Sequence, residues 1–422
     1  QLRSDYIRTI ADDELGNVWV GTVSGLNIIG QNGMPVCADA TTIDGTSLTS
    51  TSVRCIARDK QGGMWVGTFF DGVCYYNPRK NHFVNIQNIP GVNSLSNNII
   101  GCIAEDSSHN LWIGTNGGLH HYNPKTQHFD LLTTANGLLS NDIKAMYIDQ
   151  KNNVMYVGTQ LGGMAIVNLS NHSIRSVRMK SNVADDNSIY DIYPLGGGKL
   201  LLGSLTGLKL YDNTTSTITP LPKNMRGNYS YPQRVRIIYS DRSGKLWIGG
   251  EDGLYTYRLQ GGSLHHVPLP EAYDKMLHTC VNTIAADRNG NVWVGTQQGA
   301  YVFLPHNKVK AYTHDNGLPG NMVYAMLQDT MGKIWLSTNR GLCTFRPERD
   351  NFKYYTVKDG LPNNLFMPDA ALKAHNGIMY FGSINGIASF TPEQFTDNPF
   401  APEPIIAELR LYDNVVTPVS YT

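Results

Sequence analysis

Asp287-Arg288-Asn289-Gly290-Asn291-Val292-Trp293-Val294-Gly295-Thr296 decides how this chain reads, because the same arrangement returns along the whole sequence. Its form is roughly Asp-x-x-Gly-x-(apolar)-Trp-(apolar)-Gly-Thr. All six tryptophans lie in a copy of it: Trp19, Trp65, Trp112, Trp247, Trp293 and Trp335. Tyr156 in Tyr-Val-Gly-Thr and Leu201 in Leu-Leu-Gly-Ser fill the slots between Trp112 and Trp247. Tyr380 in Tyr-Phe-Gly-Ser adds one more. Successive slots lie 42 to 47 residues apart. The chain is therefore nine tandem units of about 45 residues.

Outward from the slot, each unit reads as strands and turns. A short apolar stretch such as Val281-Asn282-Thr283-Ile284-Ala285 precedes it, and an Asp- and Gly-rich turn supplies the backbone angles of a hairpin. Three or four residues after the end of the slot's own strand comes another Gly, then a third strand such as Leu254-Tyr255-Thr256-Tyr257. Many units end in a weaker fourth strand such as His128-Phe129-Asp130-Leu131-Leu132. Four short strands in about 45 residues is the size of one propeller blade. No stretch has the pattern of an amphipathic helix, which excludes helical solenoids, and a β-helix needs a shorter period. The fold class is an all-β propeller of nine four-stranded repeats. The reading favoured is a seven-bladed ring plus about two N-terminal blades; one eight- or nine-bladed ring is the alternative. Residues shared by most units are assigned to structure, since each unit must bury its face against a neighbour. The aromatic packs between blades, the following Gly permits close backbone approach, and the turn Asp accepts backbone N–H groups.

Composition narrows function. Lys and Arg total 34, equal to Asp and Glu, so formal net charge is zero across 422 residues. A general nucleic-acid binder needs a basic surplus, and none is expected as a partner of this segment. No apolar run is long enough to span a bilayer and no cleavable signal pattern opens the chain. Gln1-Leu2-Arg3-Ser4-Asp5-Tyr6 runs straight into a strand pattern, as in a segment cut from a longer polypeptide. The six cysteines (Cys37, Cys55, Cys74, Cys102, Cys280 and Cys343) have no CxxC spacing. Cys55 and Cys102 share one slot of successive repeats, so buried free thiols are expected.

Loops on a rigid scaffold carry binding, and here they are those leading into each innermost strand. Arg226-Gly227-Asn228-Tyr229-Ser230-Tyr231-Pro232-Gln233-Arg234 sets Tyr229 and Tyr231 between Arg226 and Arg234, suited to stacking on a sugar ring and gripping an acidic group. A plain hydrophilic inter-blade loop is its bland counterpart. Asn363-Asn364-Leu365-Phe366-Met367-Pro368 departs from its siblings in carrying Phe366 and Met367 beside Asn363 and Asn364; packing against a following domain would explain it equally well. The pairs His120-His121 and His265-His266 sit on strands, so neighbouring rings face opposite sides and cannot share a metal. No phosphate-binding glycine loop is present. No metal, cofactor or catalytic set is expected.

Leu111-Trp112-Ile113-Gly114-Thr115-Asn116-Gly117-Gly118-Leu119 followed by Tyr122-Asn123-Pro124, and Met64-Trp65-Val66-Gly67-Thr68 leading to Tyr76-Asn77-Pro78, carry a family likeness. With linkers such as Asp315-Asn316-Gly317-Leu318-Pro319-Gly320-Asn321, they resemble the two-component-regulator propeller repeat over nearly the whole chain. That repeat builds the periplasmic sensor region of hybrid two-component regulators of the Bacteroides type. The tail Ala401-Pro402-Glu403-Pro404-Ile405-Ile406-Ala407-Glu408-Leu409-Arg410-Leu411-Tyr412 looks like the start of the immunoglobulin-like domain that follows those propellers. The resemblance implies 1–92 as two N-terminal repeats, 93–399 as a seven-repeat propeller and 400–422 as a linker with the first immunoglobulin-like strand. It also implies a periplasmic, non-enzymatic ectodomain that binds a glycan-derived oligosaccharide. Such a segment acts as a homodimer and signals to a histidine kinase elsewhere in the parent, where any membrane anchor would also lie. A propeller carbohydrate-active lyase or hydrolase and a protein-binding scaffold are the alternatives.

Overall fold

In the computed structural model, the residues described are 2, 4–14, 16–30, 35–36, 52–70, 72–76, 83–226, 232–269, 278–306, 308–347, 351–395, 409–411 and 414–416. They form antiparallel sheets joined by turns and a few single helical turns. The chain divides into two compact units, Gln1–Lys80 with Glu393–Thr422, and Asn81–Pro392. The smaller unit holds a four-stranded sheet beginning at Ile7–Asp12, a three-stranded sheet beginning at Val53–Arg58, and a hairpin of Leu409–Leu411 with Asn414–Val416. The larger unit holds seven four-stranded sheets, called sheets 1 to 7 below in chain order.

The repeated residues explain the repeated structure. In the turn at residue 287, Asp287 Oδ1 accepts the backbone N–H groups of Asn289 and Asn291, both at 2.9 Å. Its Oδ2 accepts the Trp293 indole N–H at 3.2 Å. The same indole bond recurs from Trp19, Trp65, Trp112, Trp247 and Trp335 to Asp13, Asp59, Asp106, Asp241 and Asp329. One carboxylate thus shapes the hairpin and aims the aromatic. Thr296 closes the next turn by donating its hydroxyl to Gly299 O at 3.0 Å.

The glycine between them lets sheets meet. A β-carbon on Gly295 would lie 2.8 Å from Val323 of sheet 6, and one on Gly249 would lie 2.5 Å from Val281 of sheet 5. Gly114 stands in the same way against Ile143, Gly158 against Ile189 and Gly203 against Val235. Gly382 of sheet 7 stands against Ile100 of sheet 1, so the series returns to its start. The innermost strands follow one another around that ring: Ile100–Glu105, Ile143–Asp149, Ile189–Gly196, Val235–Ser240, Val281–Ala286, Val323–Gln328 and Phe366–Lys373. Core side chains fill the spaces between sheets, as Trp293, Val302, Tyr312, Leu336 and Phe345 do between sheets 5 and 6.

Two features depart from the sequence reading. Sheet 7 takes only three strands from its own repeat, and its outer strand is Val84–Ile86, which the sequence places at the end of the second repeat. Ile86 pairs with Ile387 and Val84 with Ser389, leaving the second sheet of the smaller unit with three strands among the described residues. The physical reason is edge protection: without this strand, Gly386–Phe390 would present an unpaired ladder. Cysteines are the second feature. The five described ones are free, and Cys74, Cys280 and Cys343 are buried, but Cys55 is exposed and Cys102 only partly covered. Their shared slot lies on the first strand of its sheet, where Cys102 packs against the core between sheets 1 and 2 while Cys55, in the smaller unit, is left exposed. Cys37 lies outside the described residues.

Candidate functional site

Each innermost strand of sheets 2 to 6 carries a one-residue bulge near its start, where the register slips against the second strand. Such bulges re-aim side chains. Here the bulged residues are Lys144, Tyr190, Arg236, Asn282 and Tyr324. In sheets 1, 2 and 4 to 7 the turn after the second strand is tied to the same end of the ring, because its first N–H bonds the residue preceding the inner strand. Gln160 N–H donates to Asp142 O, Glu251 N–H to Arg234 O, and Asn339 N–H to Met322 O. Bulge, preceding residue and turn together rim the mouth of the ring's central passage.

The chemistry of this rim is uneven. Glu251 lies between two guanidinium groups, 2.7 Å from Arg234 and 2.8 Å from Arg236. Burial alone would raise its carboxyl, but the two arginines hold it below the usual range. Arg236 also lies over the Tyr190 ring at 5.9 Å, and the Tyr190 hydroxyl donates to Gln160 at 2.6 Å. Lys144 pairs with Asp142 at 2.7 Å. Three buried polar atoms at this end make no hydrogen bond: Asn116 Oδ1, Arg236 Nε and Asn339 Oδ1. On sheets 7 and 1 the matching positions include Leu365, Met367, Ile384, Ile99 and Gly101. The rim is polar with one surplus cation along one arc and largely apolar along the other, where Asn116 is a polar exception.

The passage below the rim is crossed. In sheet 7 the residues Met367 to Ala370 loop out of the ladder between Phe366 and Ala371. Asp369 reaches past sheet 6 and accepts the Thr283 hydroxyl at 2.8 Å. Water touches Asp369 although protein surrounds it, as befits the wall of a passage. That enclosure, followed by the charge of Asp191, pushes its carboxyl up to about 7, and enclosure likewise pushes Asp191 to about 6. A carboxyl whose folded value lies above its unfolded value favours the fold at low pH and opposes it as pH rises through about 7. Asp369 has φ 52°, a left-handed conformation that Asn tolerates well. Asp369→Asn is therefore expected to stabilise the protein at pH 8 and to leave it unchanged at pH 4. Because water softens the penalty, the gain is about 1 kcal/mol, or roughly 2 °C in melting temperature. Thermal unfolding of both proteins at the two pH values checks it, and equal melting temperatures at pH 8 would refute it.

The residues singled out from sequence distribute as follows. Arg234 stands on the rim, bonded to Glu251. Arg226 ends the helical turn Lys223–Arg226, and its side chain, with Tyr229 and Tyr231, lies outside the described residues. Asn363 and Asn364 shape their own loop, accepting the N–H groups of Leu365 and Val357, each at 2.9 Å. Phe366 is 1% exposed and packs edge-on to Phe381, so it belongs to the core rather than to a binding surface. Neither Arg234 nor Phe366 contacts the other. Sequence reading missed Lys144, Tyr190, Arg236, Glu251 and Asp369. For Lys144, Tyr190 and Arg236 the signal is the second residue of the innermost strand, which varies after an Ile or Val in sheets 2 to 6, whereas Glu251 and Asp369 lie elsewhere in their repeats and carry no such mark. His120 and His121 do face apart: His120 accepts the Ser96 N–H at 3.1 Å, whereas His121 lies against Trp112.

Five segments match the family described as Two component regulator propeller, at residues 1–24, 47–70, 94–117, 275–298 and 317–340. A histidine kinase of Formosa agariphila is 33% identical over 101 residues, which are 24% of this chain and 7% of that protein. Among solved structures, the extracellular domain of a protein described as a hybrid two-component system from B. thetaiotaomicron superposes with TM-score 0.72 at 22% identity. The match covers 97% of this chain and 61% of that one. The extracellular domain of a one-component system from the same organism gives TM-score 0.61 at 18% identity, covering 97% and 56%. The chain thus spans about three fifths of the first of these structures and a small part of the kinase. Among the described residues no helix is long and apolar enough to cross a membrane.

Proposed function

This chain carries two-component-regulator propeller repeats, and from that premise we propose that it is the periplasmic ligand-sensing ectodomain of a hybrid two-component regulator. Its ligand is an oligosaccharide released from a glycan, seated at the rim of the seven-sheet ring. The parent carries the membrane span and histidine kinase, 400–422 leads into an immunoglobulin-like domain, and the signal passes through a homodimer. The observation that carries this reading is the two-sided rim. A pyranose offers hydroxyl edges to amides and phenols, and CH faces to apolar side chains. The guanidinium left over beside Glu251 favours a sugar bearing a carboxylate. The 226–234 loop, with Tyr229 and Tyr231, would complete the seat by stacking.

Calorimetric titration against neutral and uronate-containing oligosaccharides, each mixture then analysed for products, tests it. Binding of an intact acidic oligosaccharide is expected, weakened at least about tenfold by Arg236→Ala, since a charge-assisted hydrogen bond contributes about 1.5–3 kcal/mol. Binding unaffected by Arg236→Ala would remove the rim from the reading. A second reading, a carbohydrate-active lyase or hydrolase, is favoured by one observation: Asp191 and Asp369 are carboxyls pushed toward neutral values within one passage. Products in the titrated mixtures, lost in Asp369→Asn, would establish that reading instead.

A further inference from the structure

We propose that Glu105, His109 and His375 form a site for a divalent transition-metal ion, best matched by Zn2+, at the seam where sheet 7 meets sheet 1. Glu105 ends the innermost strand of sheet 1, and His109 lies in the turn that follows it. His375 lies in the corresponding turn of sheet 7, so residues far apart in sequence converge because the ring closes. The two imidazoles stack with centroids 3.3 Å apart, and both turn Nδ1 toward one oxygen. Glu105 Oε1 is 2.5 Å from His375 Nδ1 and 3.4 Å from His109 Nδ1. Its other oxygen accepts the His375 backbone N–H at 2.8 Å, which fixes the carboxylate. All three ligand atoms lie within 4.8 Å of one another. Bonds of about 2.0–2.1 Å in tetrahedral geometry place ligand atoms about 3.3 Å apart, so small movements seat an ion. Two imidazoles with one carboxylate suit Zn2+ rather than Ca2+ or Mg2+. The fourth position faces a cleft of roughly 330 Å³ lined by Asn110, Lys125 and Tyr380.

The backbone points the same way independently. His109 has φ 65°, at the turn position held in sister repeats by Gly62, Gly244, Gly290, Gly332 and Gly377, and by Asn153, all at positive φ. A ring placed where most sister turns carry no side chain is a sign of use. The group His121, Asp130 and His172 is weaker, because the two nitrogens of His121 already face Asp106 at 3.4 Å and Asp130 at 3.6 Å.

The test is titration of the chelator-treated 422-residue chain with Zn2+ alone, read by calorimetry and by melting temperature. One equivalent is expected to bind and to raise the melting temperature. His109→Gly restores the residue used by the sister turns, so it should fold normally while binding Zn2+ at least tenfold more weakly. Glu105→Gln should weaken binding too, and His172→Ala should leave it unchanged. Three outcomes would overturn the site: no binding by the parent chain at about 100 μM Zn2+, binding that survives His109→Gly, or binding lost in His172→Ala instead.

Discussion

Trp335→Ala is expected to cost about 3–5 kcal/mol, whereas Trp65→Ala, the same substitution in the same motif, costs about 1 kcal/mol. Trp335 is fully buried, packs on Phe390 at 4.5 Å and on Tyr355 at 5.7 Å, and gives its indole N–H to Asp329 at 3.1 Å. Truncation empties a large cavity between sheets 6 and 7 and strands a buried carboxylate oxygen. Trp65 keeps the same bond to Asp59 but is 46% exposed, so water fills its place. Denaturant titration followed by circular dichroism measures both losses. Equal costs would mean that the motif rather than the packing around it sets the energy.

Removing the closing strand is expected to be as damaging. A fragment beginning at residue 81 should unfold cooperatively, and one beginning at residue 88 should lose about 3–5 kcal/mol or fail to fold. The shorter fragment lacks the ladder of Val84–Ile86 on Ile387–Ser389 and the Asn85 side-chain bond to Gly360 O at 3.0 Å. It also lacks Gln87, which bonds Asn385 O at 2.9 Å, and Phe83, which packs edge-on to Phe390 at 5.2 Å. Comparing denaturation midpoints of the two fragments decides the matter. Matching midpoints would show that sheet 7 holds with three strands.

Much of this architecture is legible because nine copies average away the noise of any one. The Asp–Trp–Gly spacing assigns turn, aromatic and close approach, and the backbone bonds to Asp287, the packing of Trp293 and the closeness of Gly295 to Val323 match those assignments. What the pattern hides is any relation that skips repeats. Val84–Ile86 reads locally as the end of its own unit, and only ring closure brings it to Gly386–Phe390. The Asn363–Pro368 stretch stands out by composition, yet its meaning, a loop carrying Asp369 across to Thr283, depends on a sheet two positions away. The rim escapes for the opposite reason. Lys144, Tyr190, Arg236, Asn282 and Tyr324 are four residue types at five matching positions, so a search for what repeats passes over them. Cys55 shows the limit of slot-based inference, since a slot fixes a backbone position but not what faces it.

The closing strand also fixes how the ring responds to tension. The chain enters the larger unit just before Val84 and leaves just after Phe390, and Val84 stands opposite Ser389. Both ends therefore emerge at the same end of one antiparallel ladder. A pull that separates them loads the hydrogen bonds one after another, in the manner of a zip, instead of shearing them together. A contact that counts heavily in equilibrium stability is thus a weak link under force, and the ring opens mechanically at its clasp before any of its other sheets is disturbed.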